Sequence, residues 1–427
     1  MKKLILVMIT VLTIGAILSA CSSNTPNSSD QSSETEKTQD KVKLVMLTNA
    51  TGAVFEAEQG IIANFMKENP NIEVDFSTQG KDYEQLMKAK MAANDLPDVF
   101  ATHGWSVNRY KEYLRPLEDQ AWSKNIVDSL KSTITDEAGH IYVLPMNLDQ
   151  SGFVYNRKVL EDLNLEIPNN WDEFIAASKV IKAAGITPVQ MGDKDPTKLA
   201  SFLDKVAPVF LITDKDHNYG DALKDGTFDW SKWNQVSQLL LDLYSQEFIN
   251  KDILTADPVT TAEKLAQGKA AFAFESNGVI AQALKTNPDA KLGMMPIPAF
   301  YEGDEPILNG GEKEAYGIGK DSKHIEEALK LLTFMSKPEN VQAVSTASGL
   351  PAAFNGVENK LGDLSGDYAK YADLRTIPVF DREYLPSGMW STLQVAGSSL
   401  LVSGGLSVEQ VSDLMKEDYM KFRAQQK

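Results

Sequence analysis

The sequence predicts an α/β protein built as two lobes, and three observations predict it. Short apolar runs alternate with helix-period segments. The same rhythm restarts after residue 150, and a chain of 427 residues exceeds what one hydrophobic core comfortably supports. A hydrophobic content of 43% supplies enough apolar surface for two globular cores.

Taken in order, 42–47 reads as a strand, and 55–68 as a helix with Ile61, Ile62, Phe65 and Met66 on one face, stopped by Asn69-Pro70. Ile72, Val74 and Phe76 alternate as a strand. Tyr83, Leu86, Met87, Lys90 and Met91 mark a second helix, and Val99-Phe100-Ala101 the next strand. Strands alternating with helices of this length imply βαβ units around a mainly parallel sheet. Beyond residue 150 the same reading gives a strand at 152–155, a helix at 171–184 opened by Asn169-Asn170, and a strand near Val189. A helix carrying Trp233, Val236, Leu239, Leu240 and Leu243 and a strand at 270–274 follow. Later, 291–296 and 316–318 read as strands, and 324–335 and 409–422 as helices. Trp171, Trp230 and Trp233 stand at helix starts or at helical spacing, which assigns them to core packing. The absence of any fixed-period repeat excludes a solenoid.

The first residues read differently. Lys2 and Lys3 precede an apolar stretch, 4–18, and then Leu18-Ser19-Ala20-Cys21. A charged start, a short apolar run and small residues are the order of a secretion signal, and the run is shorter than the ~20 residues of a spanning helix. Cys21 is the sole cysteine, which excludes an internal disulfide, and it stands where a lipobox would place it. Residues 1–20 are therefore expected to be cleaved and Cys21 to be lipidated. A thioether lipid plus an acylated N-terminus gives the two chains that stable anchoring needs. Residues 21–40, rich in Ser and Thr after Cys21, bury too little to fold and read as a tether. Cleavage removes two lysines and takes the net charge from −17 to −19. Such a balance excludes nucleic acid as a partner and leaves the lipid on Cys21 as the contact with the membrane.

No catalytic signature accompanies this pattern. There is no Gly-x-Ser-x-Gly and no phosphate-binding Gly-rich loop. The four histidines, at 103, 140, 217 and 324, lack metal-ligand spacing. Asp214 to Gly220 starts like a calcium loop, but its glycine falls at the seventh place rather than the sixth and no glutamate closes it, so it reads as a polar turn. Neither a cofactor nor a metal is implied.

Several stretches, read together, resemble extracellular solute-binding proteins of family 1, the group that includes the maltose-binding protein. They are Met91-Ala92-Ala93-Asn94-Asp95-Leu96-Pro97-Asp98-Val99, Gly139-His140-Ile141-Tyr142-Val143-Leu144-Pro145, and Tyr155-Asn156-Arg157 leading to Trp171-Asp172-Glu173. Gly268-Lys269-Ala270-Ala271, Met295-Pro296-Ile297-Pro298 and Gly317-Ile318-Gly319-Lys320-Asp321-Ser322 continue the family's order. Within that family, Thr102-His103-Gly104-Trp105 and the segment from Phe380 to Trp390 are similar to the melibiose and raffinose type of multiple-sugar-binding lipoproteins.

The resemblance implies a periplasmic-binding-protein-like fold with a hinge and an interlobe ligand cleft that closes by hinge motion. It implies a first lobe at 41–149, a second at 150–289, a return to the first at 290–335 and a last segment in the second at 336–427. It also implies a role: a lipid-anchored, monomeric receptor on the outer face of the bacterial cell membrane. Such a receptor delivers a di- or oligosaccharide to the transmembrane subunits of an ABC permease driven by a separate ATPase. A surface glycosidase, a sugar sensor and a polyamine-binding protein are the rival readings.

A sugar presents hydroxyls all round and apolar C–H faces, so its site needs aromatic rings and planar polar groups. Ligands of open α/β sheets gather at the carboxyl ends of strands. That rule selects the loops carrying Asn49, Gln79, and His103 with Trp105, the last as a stacking ring. By the resemblance, Asp149 is a hinge carboxylate for sugar hydroxyls, with Asn147 beside it, and Trp390, in a loop with Asp381, Arg382 and Gly388, is a second ring. Glu275 follows the strand at 270–274, in a loop where many relatives carry a tryptophan and this chain has Ser276-Asn277-Gly278. Gly310-Gly311-Glu312 adds backbone amides and the Glu312 carboxylate.

Overall fold

A computed structural model describes residues 41–102, 107–194 and 196–425. His103, Trp105 and Cys21 lie outside the described residues. The first sheet contains β1 (Val42–Thr48), β2 (Ile72–Thr78), β3 (Val99–Ala101) and β4 (Leu144–Pro145). The second contains β5 (Phe153–Asn156), β6 (Thr187–Val189), β7 (Ala270–Ala273) and β8 (Leu292–Met295). Later in the chain come β9 (Leu308–Gly310), β10 (Ala315–Ile318) and β11 (Thr376–Pro378).

The first sheet has the order β2-β1-β3-β10-β4, with β1 parallel to β2 and β3, and β10 antiparallel to β3 and β4. Helix Gly52–Glu68 covers it by burying Ile61, Ile62 and Phe65. The second sheet has the order β6-β7-β5-β8. Its strand β5 alternates between two cores, as a period of two requires. Phe153, Tyr155 and Phe272 join one, while Val154, Ala273 and Met294 join the other. The larger core is an aromatic cluster in which Phe274 lies 4.4 Å from Phe153 and 4.8 Å from Phe202 between ring centres. Each fully buried ring of this kind contributes about 1.5–3 kcal/mol. Trp171, Trp230 and Trp233 are all buried there.

The two lobes meet at paired hinge segments. Met146 N donates to Glu314 O (2.7 Å), Asp149 N to Gly311 O (2.7 Å), and Ser151 and Asn309 exchange two bonds of 2.9 Å. Gly152 sits where a side chain has no room, because an added Cβ would come within 1.9 Å of Met295 O.

Two expected lobe boundaries are corrected. A return to the first lobe at 290 is ruled out by β8, which pairs with β5 in the second sheet; the chain crosses back only through 309–314. A departure at 336 is likewise too early, since Val341, Val344 and Phe354 belong to the first core and Leu361 is the next residue in a second-lobe core. A short strand buried on both faces carries no mark of which sheet it joins.

Candidate functional site

The carboxyl ends of β1, β2 and β3 place three loops at one edge of the first lobe, and hydroxyl groups tie them together. Thr78 Oγ1 donates to Ala50 O (2.6 Å), Gln79 N to Thr48 O (3.1 Å), and Tyr83 Oη to Ala101 O (2.5 Å). Thr48 Oγ1 accepts from Ala50 N (3.1 Å) and bonds the Tyr316 hydroxyl (2.9 Å), which donates to the Glu58 carboxylate. Asn49 is half-buried, whereas Gln79 is exposed.

Across the hinge, four segments bring charged side chains into one buried cluster. They are Asp149 on the first hinge segment, Glu312 and Lys313 on the returning one, Asp204 and Lys205 on helix Thr197–Leu211, and Asp381 and Arg382 on helix Phe380–Tyr384. Lys205 Nζ donates to Ser151 Oγ (2.7 Å), and that hydroxyl donates to Asp149 Oδ1 (3.3 Å). Lys313 Nζ stands 3.9 Å from Asp149 Oδ2, and Asp204 Oδ1 accepts from Asp381 N (2.7 Å).

The electrostatics follow from burial set against these neighbours. Burial pushes the Asp149 carboxyl up, but Lys313, Lys205 and Arg382 outweigh it and hold the group below its usual range. Burial raises Glu312 to about 8, with Asp149 adding to the rise and Arg382 opposing it. Asp204 is raised to about 7, first by burial and then by the Asp381 charge. Asp381 is raised by burial against the pull of Arg109, and Lys205 is lowered by burial. Glu312 Oε1, Asp381 Oδ1, Arg382 Nη1 and both amide atoms of Asn309 are buried without a hydrogen-bond partner among the described residues. The junction therefore holds acceptors and donors together, the complement of a ligand whose groups do both.

Of the residues selected from sequence, Asp149, Glu312 and Asp381 converge in this cluster. Glu275 is buried one loop away, paired with Lys198 at 2.8 Å. Its neighbour Asn277 donates to the Tyr368 hydroxyl (2.7 Å), which donates to Gln150 O (2.9 Å), so the loop after β7 is fastened to the hinge. Asn147 is a correction: its amide nitrogen serves Glu314 and Ser348, and its oxygen accepts from Glu314 N (2.9 Å). With every polar atom used inside the protein, it fastens the hinge instead of facing a ligand. Trp390 is corrected in setting, lying not in a loop but on helix Met389–Leu401, half-buried against the second core. Sequence reasoning missed Asp204, Lys205 and Arg109. The signal for the first two was a charged pair inside an otherwise apolar helical run from Leu199 to Leu211. Among the described residues, no group of three or more His, Cys, Asp or Glu could hold a metal, and no helix is long and apolar enough to cross a membrane.

Comparison with known proteins places this architecture. The melibiose/raffinose/stachyose-binding protein MelE of Bacillus subtilis is 35% identical over 390 residues, 90% of this chain and 91% of its own. The multiple sugar-binding protein of Streptococcus mutans is 24% identical over 70% of this chain and 72% of its own. Among solved structures, a sugar transporter of Bacillus licheniformis in complex with stachyose superposes with a TM-score of 0.82 at 38% identity, covering 89% of this chain and all of that one. A binding protein of Bacillus subtilis in an open conformation reaches a TM-score of 0.86 at 34% identity over 91% of this chain and 99% of that one. The profile of the bacterial extracellular solute-binding proteins matches residues 49–342, and the chain belongs to that family.

Proposed function

We propose that the protein captures an α-galactoside of the melibiose, raffinose and stachyose type outside the cell and hands it to the permease of an ABC importer. The family is one of solute-binding proteins, and the chain is not an enzyme. The reading rests above all on the lobe junction, where buried donor and acceptor atoms stand without partners in the protein. A polyhydroxyl ligand answers both kinds, and each unmet group would otherwise cost about 1–3 kcal/mol. The cargo follows two relatives that match along nearly the whole chain, the melibiose/raffinose/stachyose-binding protein and the sugar transporter in complex with stachyose.

In this reading Asp149, Glu312, Asp381 and Arg382 bond sugar hydroxyls from the hinge and second lobe. Glu275, with Asn49 and Gln79 of the first lobe, completes the polar lining, and Trp105, His103 and Trp390 supply the faces for stacking. Cys21 carries the lipid that holds the receptor at the outer face of the membrane as a monomer. The transmembrane subunits receive the sugar, and a separate ATPase supplies the energy. Micromolar affinity, about −8 kcal/mol, suffices for capture and permits release.

Thermal unfolding of the chain from residue 22 onward, with melibiose, raffinose, stachyose, maltose or spermidine added, tests the reading. A sugar at about a hundred times its Kd stabilises by ~2.7 kcal/mol and raises Tm visibly. A response confined to α-galactosides supports the cargo, a response to maltose alone overturns the narrower assignment, and a response to spermidine alone overturns the sugar. Trp105→Ala is expected to weaken sugar binding more than about ten-fold without lowering Tm, since a lost stacking face costs at least about 1.4 kcal/mol. Unchanged affinity by calorimetry removes that ring from the site.

A further inference from the structure

Arg109 stands in the short helix Val107–Tyr110, whose two end residues are buried in the first core. Its guanidinium is nonetheless spent on the second lobe. Nη2 donates to the carbonyl oxygens of Asp381 (2.6 Å) and Leu385 (2.7 Å), and Nη1 lies 3.6 Å from the Asp381 carboxylate. Leu385 caps the carboxyl end of helix Phe380–Tyr384, an end whose orphan carbonyls favour a cation. The two partners retain only 17% and 8% side-chain exposure, so the pairing is largely out of water. A planar fork can serve two carbonyls at once, which an ammonium does less well.

Beside this bridge the lobes part. A groove of about 870 Å³ separates Glu112 and Tyr113 on the first lobe from Arg382, Tyr384 and Phe422 on the second. Arg109 lines it and grips the helix that carries Asp381 and Arg382 into the charged cluster.

We propose that Arg109 is the latch that holds the lobes closed, raising affinity through the population of the closed form without touching the ligand. A protein whose competent form is partly populated binds with its affinity reduced by that fraction. Loss of the latch therefore weakens every ligand by one common factor, whereas loss of a ligand contact weakens ligands unequally. The affinity part rests on the sugar reading given above; the closure part does not.

Two measurements on the chain from residue 22 onward decide it. Small-angle X-ray scattering without added ligand is expected to show a larger radius of gyration for Arg109→Gln than for the unsubstituted protein, with Arg109→Lys between them. Calorimetry is then expected to show Kd values for melibiose, raffinose and stachyose all raised by one factor, about ten-fold. An unchanged scattering profile in a folded Arg109→Gln protein overturns the latch, as do losses that differ several-fold among the three sugars. If Arg109→Gln does not fold, the comparison passes to Arg109→Lys, where expansion supports the latch and an unchanged profile overturns it. If the unsubstituted protein binds none of the sugars, the sugar reading fails and scattering still decides the latch.

Discussion

Asp149→Asn is expected to cost about 3 kcal/mol of stability at pH 7, at the lower edge of what breaking a buried charge pair costs, and to abolish measurable sugar binding. The carboxylate is only 15% exposed in its side chain and stands among Lys313, Lys205 and Arg382. Asparagine keeps the shape and removes the charge, leaving three cations to repel one another in poor solvent. The cost stays near the lower edge because Lys205 can relax: burial already lowers its pKa, and without Asp149 it sheds its proton more readily. Denaturant unfolding of Asp149→Asn, Lys205→Met and the double variant tests the coupling. The double variant is expected to lose less than the sum of the single changes. Simple additivity, or an Asp149→Asn protein within 0.5 kcal/mol of the parent by the ordinary scale of surface changes, contradicts the account. The sign with pH is the reverse of that for the raised carboxyls. A depressed carboxyl contributes above its unfolded value of 3.8 and loses that contribution as pH falls through its folded value.

Asp149 and Asp381 were candidates in the sequence through the resemblance, and Glu312 through the glycine turn before it. In the structure the chain near each is buried, at Met146 and Leu148, at Leu308, and at Phe380. A charge set against apolar neighbours needs partners because burial without them is costly. Strands and helices were legible for a physical reason, since alternation in β2 and the face made by Ile61, Ile62 and Phe65 are imposed by which side meets the core. The remainder depends on where distant segments meet. Arg109 finds its partners more than 270 positions away, and no local pattern marks it. Lys205 reads as an interruption of a core helix until the hinge is brought against it. Asn147 and Asp149 look alike in sequence, and only the position of Glu314 and Ser348 shows that the first is consumed inside the hinge. Trp390 misled because Gly388 beside it suggests a loop; the glycine, at φ +112°, instead starts the helix that carries the ring.

Glu58→Gln is expected to remove a pH dependence from the protein's stability. Glu58 is wholly buried on helix Gly52–Glu68, with one carboxylate oxygen taking the Tyr316 hydroxyl and the other without a partner. Burial raises the group from 4.5 to about 8; the Tyr316 bond opposes the rise and the Glu314 charge adds to it. The folded protein therefore keeps a proton that the unfolded chain releases above about pH 4.5. The stability tied to that proton is complete below pH 4.5 and declines as pH rises through about 8. A displacement of this size corresponds to a loss on the order of 5 kcal/mol across the window. Asp204 and Glu312 titrate in the same range, but they do so in both proteins, so the difference between parent and variant isolates Glu58. Denaturant unfolding at pH 5, 6.5 and 8 should show the variant gaining on the parent at each step, whatever its absolute stability. Parallel curves would mean that Glu58 is already ionised in the folded state, and then the Tyr316–Thr48 network would have to accommodate a buried charge. Through Thr48 that network also holds Ala50 N, in the loop after β1.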